Sequence, residues 1–273
     1  MRVLHVHNVA YVPATLVKAL RKLGVEADFA EDPDGMDFSK YDIVHVHYAV
    51  TAHSLQAISM ARDAKKPIVL HHHGSDVRRI GPSGMQPLPF WWAFVSSWAR
   101  KRAAKVLLAT PDLVKFCPQG EYIPNPVDMD LFRPTGVPKN GRVLICGRQF
   151  KGSKLPQLID PAKQYDIVGP GYLHALPSNV RRLPMIPREK FSDFLNEYPE
   201  MIGGIGDLVT MARLEAMACG LKTFSDFDPQ FTSYYDGQNP DKVENPREFV
   251  ERYHDSGMVA KKLLGIYGSL KLS

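Results

Sequence analysis

Short apolar runs recur along the chain, separated by longer stretches in which apolar residues return every three or four positions. The runs "RVLHV", "VEADFA", "DIVHVHYA", "PIVLHHH", "KVLLAT" and "EYIPN" read as strands, because a strand covered on both faces shows a continuous run rather than strict alternation. Between the first two, "ATLVKALRKLG" keeps a helical period and stops at Gly24, a residue that ends helices at no steric cost. Strand, helix and parallel strand in succession is the βαβ unit, so the first half predicts an open α/β sheet.

The rhythm breaks at "LFRPTGVPKNG", Leu131 to Gly141, which has two prolines, two glycines and no apolar period. It then resumes with "RVLICG", "YDIVG", "NVRRLPMI", "EMIGGI" and "LKTFSDF" as strands and "REKFSDFLNEY" and "VTMARLEAMACG" as helices. The expected layout is an N-terminal domain over 1–133, a linker over 134–141 and a second, compact α/β domain over 142–245. A helical segment over 246–273, broken near Ser256 and Gly257, is free to return to the first domain. A chain of 273 residues suits two such domains.

Composition narrows the function classes. Apolar residues make up 44% and charged residues 23%, with no run near the roughly 18 apolar residues of a membrane helix, so a soluble globular protein is expected. The opening "MRVLHVHNVAYVP" is interrupted by His5, His7 and Asn8, reads as a strand rather than a signal peptide, and predicts a cytoplasmic chain. Three scattered cysteines, Cys117, Cys146 and Cys219, argue for reduced thiols. The net charge of +5 is spread over both halves apart from the cluster Trp98–Lys105, so no nucleic-acid partner is expected.

In open parallel sheets, ligands bind beyond the carboxyl ends of the strands. Histidines crowd those ends: His5 and His7, His45 and His47, and His71 to His73. Alternation puts His71 and His73 on one side of their strand and His72 on the other, and several imidazoles are expected to face the cleft. His7, His47 and His73 from neighbouring strands would be the residues to converge on an ion, but the expectation is that no metal is bound. In the second half, "GRQFKGSK" places Gly147, Arg148, Lys151 and Lys154 after a strand, where cations can neutralise a departing diphosphate. In "GGIGDLVTMARLEAMACG", Asp207 can cap a helix beginning near Leu208, and Glu215 follows about 12 Å along it. Carboxylates so far apart cannot clasp one atom, but they can touch opposite ends of an elongated ligand.

Several stretches, among them "PIVLHHHGSDV", "EYIPNPVDMDLFRP", "RVLICGRQFKGSK" and "LEAMACGLKTFSDF", together resemble the retaining nucleotide-sugar glycosyltransferases of the GT-B fold, glycosyltransferase family 4. The resemblance implies two Rossmann-like domains facing a cleft, a nucleoside diphosphate sugar as co-substrate, and no cofactor or required metal. It implies that Glu215 holds the donor ribose hydroxyls, that Arg148 with Lys151 or Lys154 holds the diphosphate beside Gly147, and that His73 and Asp207 lie at the reacting centre. His7, Asn8, Tyr11 and Asp76 become candidates on the acceptor side, Asp76 to orient an imidazole or cap the segment after Gly74. The chain departs from the family in having Asp207 where the motif's first glutamate stands, and "HNVAYVPA" where a glycine-rich loop is usual.

The stretch "PLPFWWAFVSSWARKRAAK" carries two readings. Trp91, Phe94, Val95 and Trp98 form a helical stripe that either packs on its own domain or touches a membrane surface peripherally. For the whole chain the expected activity is sugar transfer to a hydroxyl of a glycan, lipid-linked or small-molecule acceptor. A catalytically degenerate GT-B module that binds nucleotide or glycan is the alternative, and a nucleotide-sugar epimerase a more distant one.

Overall fold

The structure is a computed structural model, and it describes residues 1–78, 90–146, 159–169, 176–203, 210–225 and 227–271. The chain divides into two compact units, Met1–Pro126 with Asp255–Ser273, and Val127–His254.

The first unit holds six parallel strands, β1 (Arg2–Val6), β2 (Glu26–Ala30), β3 (Ile43–His47), β4 (Ile68–His72), β5 (Lys105–Leu108) and β6 (Glu121–Tyr122), in the order β2-β1-β3-β4-β5-β6. Parallel neighbours need crossovers, here including α1 (Val12–Lys22), α2 (Ala52–Asp63), α3 (Ser75–Arg78) and α4 (Phe90–Arg100). Leu4, Val6, Val44, Val46, Ile68 and Leu70 build one core face with Ala57, Ile58 and Ala61 of α2 and Ala99 of α4. Alternation turns Val3, His5, Ile43, His45, His47, Val69 and His71 to the other face. A last helix, α8 (Ser256–Lys271), packs against α1 and buries Val259, Ala260, Leu263 and Tyr267.

The aromatic helix α4 corrects the expected stripe. Trp92, Val95 and Trp98 pack on the core, whereas Phe90, Trp91 and Phe94 are exposed. The apolar face is wider than one helical stripe, and the sheet takes only the side that Ser96 and Ala99 let it approach closely.

The second unit holds β7 (Val143–Cys146), β8 (Tyr165–Val168), β9 (Val180–Arg182), β10 (Glu200–Ile202) and β11 (Lys222–Phe224), all parallel, in the order β11-β10-β7-β8-β9. Its described helices include α5 (Arg188–Asn196), α6 (Met211–Ala218) and α7 (Pro246–His254). Leu144, Leu195, Met201, Leu214, Met217 and Phe249 are part of its core. The segment read as a linker belongs to this unit: Thr135 N–H and Lys139 Nζ donate to the side chain and carbonyl of Asn196, at 3.0 and 2.7 Å. The terminal helical segment is split at Asp255, α7 staying with the second unit and α8 with the first. All three cysteines are free thiols, and burial pushes Cys146 up to about 12 and Cys219 up to about 11.

Candidate functional site

The cross-strand register sets His5 beside His45 and His47 beside His71. With His73 just past β4, five imidazoles line one face of the sheet. His45 and His47 stack at 4.4 Å with an interplanar angle of 6°, and the His71 and His73 rings are likewise 4.4 Å apart. His73 Nε2 is hydrogen-bonded to His47 Nδ1 at 2.9 Å, and His47 Nε2 to His5 Nδ1 at 3.0 Å. The Tyr267 hydroxyl of α8 closes the row, 2.5 Å from His45 Nδ1 and 3.5 Å from His5 Nε2. His71 stands apart, because it is fully buried and neither of its ring nitrogens has a hydrogen-bond partner.

Burial keeps these rings neutral. It pulls His5 down to about 3 and His73 to about 4, and holds His45, His47 and His71 well below the ordinary histidine value, with neighbouring imidazoles adding to the effect. The expectation that several of these imidazoles face open space is therefore corrected for His5, His45, His47 and His71, which are wholly buried in the unit that also contains Tyr267. His7 and His73 are the partly exposed members.

His72 points the other way, as alternation requires, and its Nδ1 meets Asp76 Oδ2 at 2.7 Å. The same carboxylate accepts from the backbone N–H of His73, Gly74 and Ala49, at 3.1, 2.9 and 3.2 Å. Burial alone would raise the Asp76 carboxyl, but His72 and these amides hold it below the usual range. Gly74 has φ 142, and a Cβ there would strike the Arg78 guanidinium, so the turn after β4 demands glycine. Asp76 is thus a structural anchor that orients one imidazole and fixes the backbone of His73.

Left-handed backbone clusters just beyond β1 and β3: His7, Ala10 and Tyr11 have φ 70, 50 and 63, and Tyr48 has φ 59. Such strain in non-glycine residues persists where the surroundings over-determine it, and it gathers at functional sites. His7 Nδ1 lies 3.3 Å from Glu31, the Asn8 side chain accepts from Tyr11 N–H at 3.1 Å, and the Tyr11 ring is exposed. Among the described residues, three groups have ligand atoms close enough to share an ion: His5, His45 and His47; His47, His71 and His73; and His7, Glu31 and His53. The set His7, His47 and His73 is not among them.

In the second unit Glu215 lies on α6, 2% exposed, with Arg188 Nη2 of α5 at 2.6 Å from its Oε1. Burial raises the Glu215 carboxyl and Arg188 pulls it partly back. Gly147, Arg148, Lys151, Lys154 and Asp207 lie outside the described residues. Sequence reading did not single out Tyr267 or Arg188. The spacing of Val259, Leu263 and Tyr267, four residues apart, marks a buried helical stripe that would have found the tyrosine. No comparable signal pointed to Arg188.

No protein-family model matches the sequence, and no curated protein matches it. Solved structures do. Sucrose-phosphate synthase from Thermosynechococcus elongatus matches with a TM-score of 0.70 at 13% identity, covering 99% of this chain and 99% of that one. AviGT4, a glycosyltransferase involved in avilamycin A biosynthesis, matches with a TM-score of 0.68 at 15% identity, over 100% and 98%. Anabaena HepE in complex with UDP-glucose matches with a TM-score of 0.63 at 13% identity, over 98% and 100%. At these identities the likeness is one of fold. The chain has the α/β fold of GT-B glycosyltransferases, with two parallel sheets, along nearly its whole length.

Proposed function

We propose that the protein is a glycosyltransferase that moves a sugar from a nucleoside diphosphate donor to a hydroxyl acceptor with retention of configuration. The observation that carries this reading is the end-to-end fold likeness to glycosyltransferases, one of them solved with UDP-glucose. The second unit would hold the donor: Glu215 accepts from the ribose hydroxyls, and Arg148 with Lys154 or Lys151, beside Gly147, neutralises the diphosphate without a metal ion. A vicinal diol presents two donors, and a carboxylate is an acceptor only, so the pairing suits an ionised Glu215. Asp207 is assigned to the sugar side of the same motif.

The first unit would supply His73 and the acceptor-side residues His7, Asn8 and Tyr11, with Asp76 acting through the backbone it fixes. A neutral His73 can accept from or donate to a sugar hydroxyl but gives no strong nucleophile. The leaving diphosphate itself would therefore take the acceptor proton on the face it departs from. The exposed Phe90, Trp91 and Phe94 on α4 support peripheral contact with a membrane carrying a lipid-linked acceptor.

Thermal-shift measurement against uridine, guanosine and adenosine diphosphates tests donor binding, since a ligand at about 100 times its dissociation constant stabilises by roughly 2.7 kcal/mol. Glu215→Ala must weaken that response, and His73→Ala must lower transfer. Full transfer by the His73 variant removes its assigned role. A second reading, a degenerate module that binds nucleotide or glycan without catalysis, is motivated by Asp207 standing where the family motif has its first glutamate. Donor hydrolysis or transfer with any acceptor eliminates that reading.

A further inference from the structure

We propose that His47, His71 and His73 form a binding site for one divalent transition-metal ion of the zinc class, built into the first unit. Their ligand atoms all lie within 4.8 Å of one another, and imidazole nitrogen is a favoured donor for such ions.

The unpartnered state of His71 carries the argument. A neutral imidazole has one N–H and one lone pair, and a buried polar atom without a partner costs free energy that native structures avoid. His71 is fully buried with both nitrogens in that condition, in the middle of a parallel sheet. The neighbouring histidines are better served: His5 and His47 use both ring nitrogens, and His45 bonds to Tyr267 through Nδ1 and leaves only its Nε2 without a partner, whereas His71 has neither satisfied. An ion is the partner that uses a bare imidazole lone pair most fully.

The three ligand atoms, all within 4.8 Å of one another, have to draw in around an ion. Nitrogens bound to zinc at about 2.0 to 2.1 Å in a tetrahedron sit about 3.3 to 3.4 Å apart. His47 Nδ1 and His73 Nε2 are now 2.9 Å apart and share a proton. On metallation His73 would carry its proton on Nδ1 and offer Nε2, so that the ion takes the place of that shared proton and spreads the pair slightly. No net charge moves onto the ligands, and the fourth coordination position remains for water or an added group.

Two rival groups fit less well. His5, His45 and His47 are all fully buried, so none of them offers an ion a way in, and both nitrogens of His5 and of His47 are already hydrogen-bonded. His7, Glu31 and His53 are a surface group, with the Glu31 and His53 side chains 53% and 43% exposed. The chosen group combines a buried bare ligand, His71, with a partly exposed one, His73, through which an ion can enter. The ion's role is to complete this unit's interior, and the proposal stands whether or not the chain transfers sugars.

The test uses the full chain without an oligohistidine tag, stripped with a chelator and titrated with cobalt(II), read by its ligand-field absorption. One equivalent is expected to bind, zinc is expected to displace it, and magnesium, which prefers oxygen ligands, is expected to do nothing. His71→Leu is expected to weaken cobalt binding by more than about tenfold. It is also expected to fold at least as well as the metal-free parent, because it removes two unpartnered polar atoms. His73→Asn, at the partly exposed ligand, is expected to weaken binding as well. His53→Ala is expected to leave it unchanged. Absence of saturable one-equivalent binding, retention of it in His71→Leu, or its loss in His53→Ala would each overturn the proposal.

Discussion

The carboxylate of Asp76 holds His72 Nδ1 at 2.7 Å while its other oxygen accepts from the backbone N–H of His73, at 3.1 Å. One buried side chain thereby fixes residues on both sides of the strand end: an imidazole behind the sheet and the backbone of the candidate catalytic histidine in front of it. Asp76→Ala leaves several buried donors without an acceptor and is expected to destabilise the protein by about 3 to 5 kcal/mol. Asp76→Asn keeps one carbonyl oxygen and should cost less. Urea denaturation of the two variants measures both, and a loss below about 0.5 kcal/mol for the alanine would show that water replaces the carboxylate.

Stability is expected to fall as pH drops below the ordinary histidine value of 6.5, because five imidazoles are held below it in the folded state. Above 6.5 folded and unfolded rings are neutral alike; below it the unfolded chain takes protons that the folded one refuses, down to about 4 for His73 and about 3 for His5. Each ring contributes up to about 1.4 kcal/mol per pH unit in that window. Asp76, depressed below 3.8, adds its own loss only at lower pH still. Melting temperatures recorded between about pH 7.5 and 5 should decline, and His71→Leu should flatten the slope; a pH-independent midpoint would show that the rings are solvated.

Removing the partner of Glu215 should expose its desolvation. Arg188→Ala is expected to cost about 2 to 3 kcal/mol, less than the roughly 3 to 5 for breaking a fully buried pair, since the arginine side chain is 22% exposed. The Glu215 carboxyl is raised already and would rise further in the variant, so its stabilising protonated form is lost as pH increases. The penalty should therefore be larger at about pH 8 than at about pH 5. An equal penalty at both would place the loss in the packing of Arg188 on the Phe132 ring.

Tyr267→Phe deletes the hydroxyl that meets His45 Nδ1 and His5 Nε2 and leaves both rings short of a partner. The expected cost is about 1 to 3 kcal/mol, with little change in volume. Denaturant titration checks it, and a stability equal to the parent would mean that the two imidazoles pair with each other instead.

Much of this was legible beforehand. The apolar runs located strands that begin and end within a few residues of β1, β3, β4, β7 and β8, because buried parallel strands leave a continuous signal. Alternation placed His72 opposite His71 and His73. The pairing of Glu215 with Arg188 was not legible, because it joins α5 to α6 across 27 residues with no motif at the arginine.

The sequence by itself determined the two parallel α/β sheets, the strand ends at which histidines gather, and the side of β4 on which each one falls. Period and local stereochemistry suffice for those. Only the tertiary structure decided that His5, His45, His47 and His71 lie wholly buried in a unit that also includes Tyr267, 222 residues beyond His45, and that His71 is left with no partner. Which face of a sheet a helix covers, and which polar atoms it satisfies there, depends on chain segments far apart in sequence, and no local pattern encodes that.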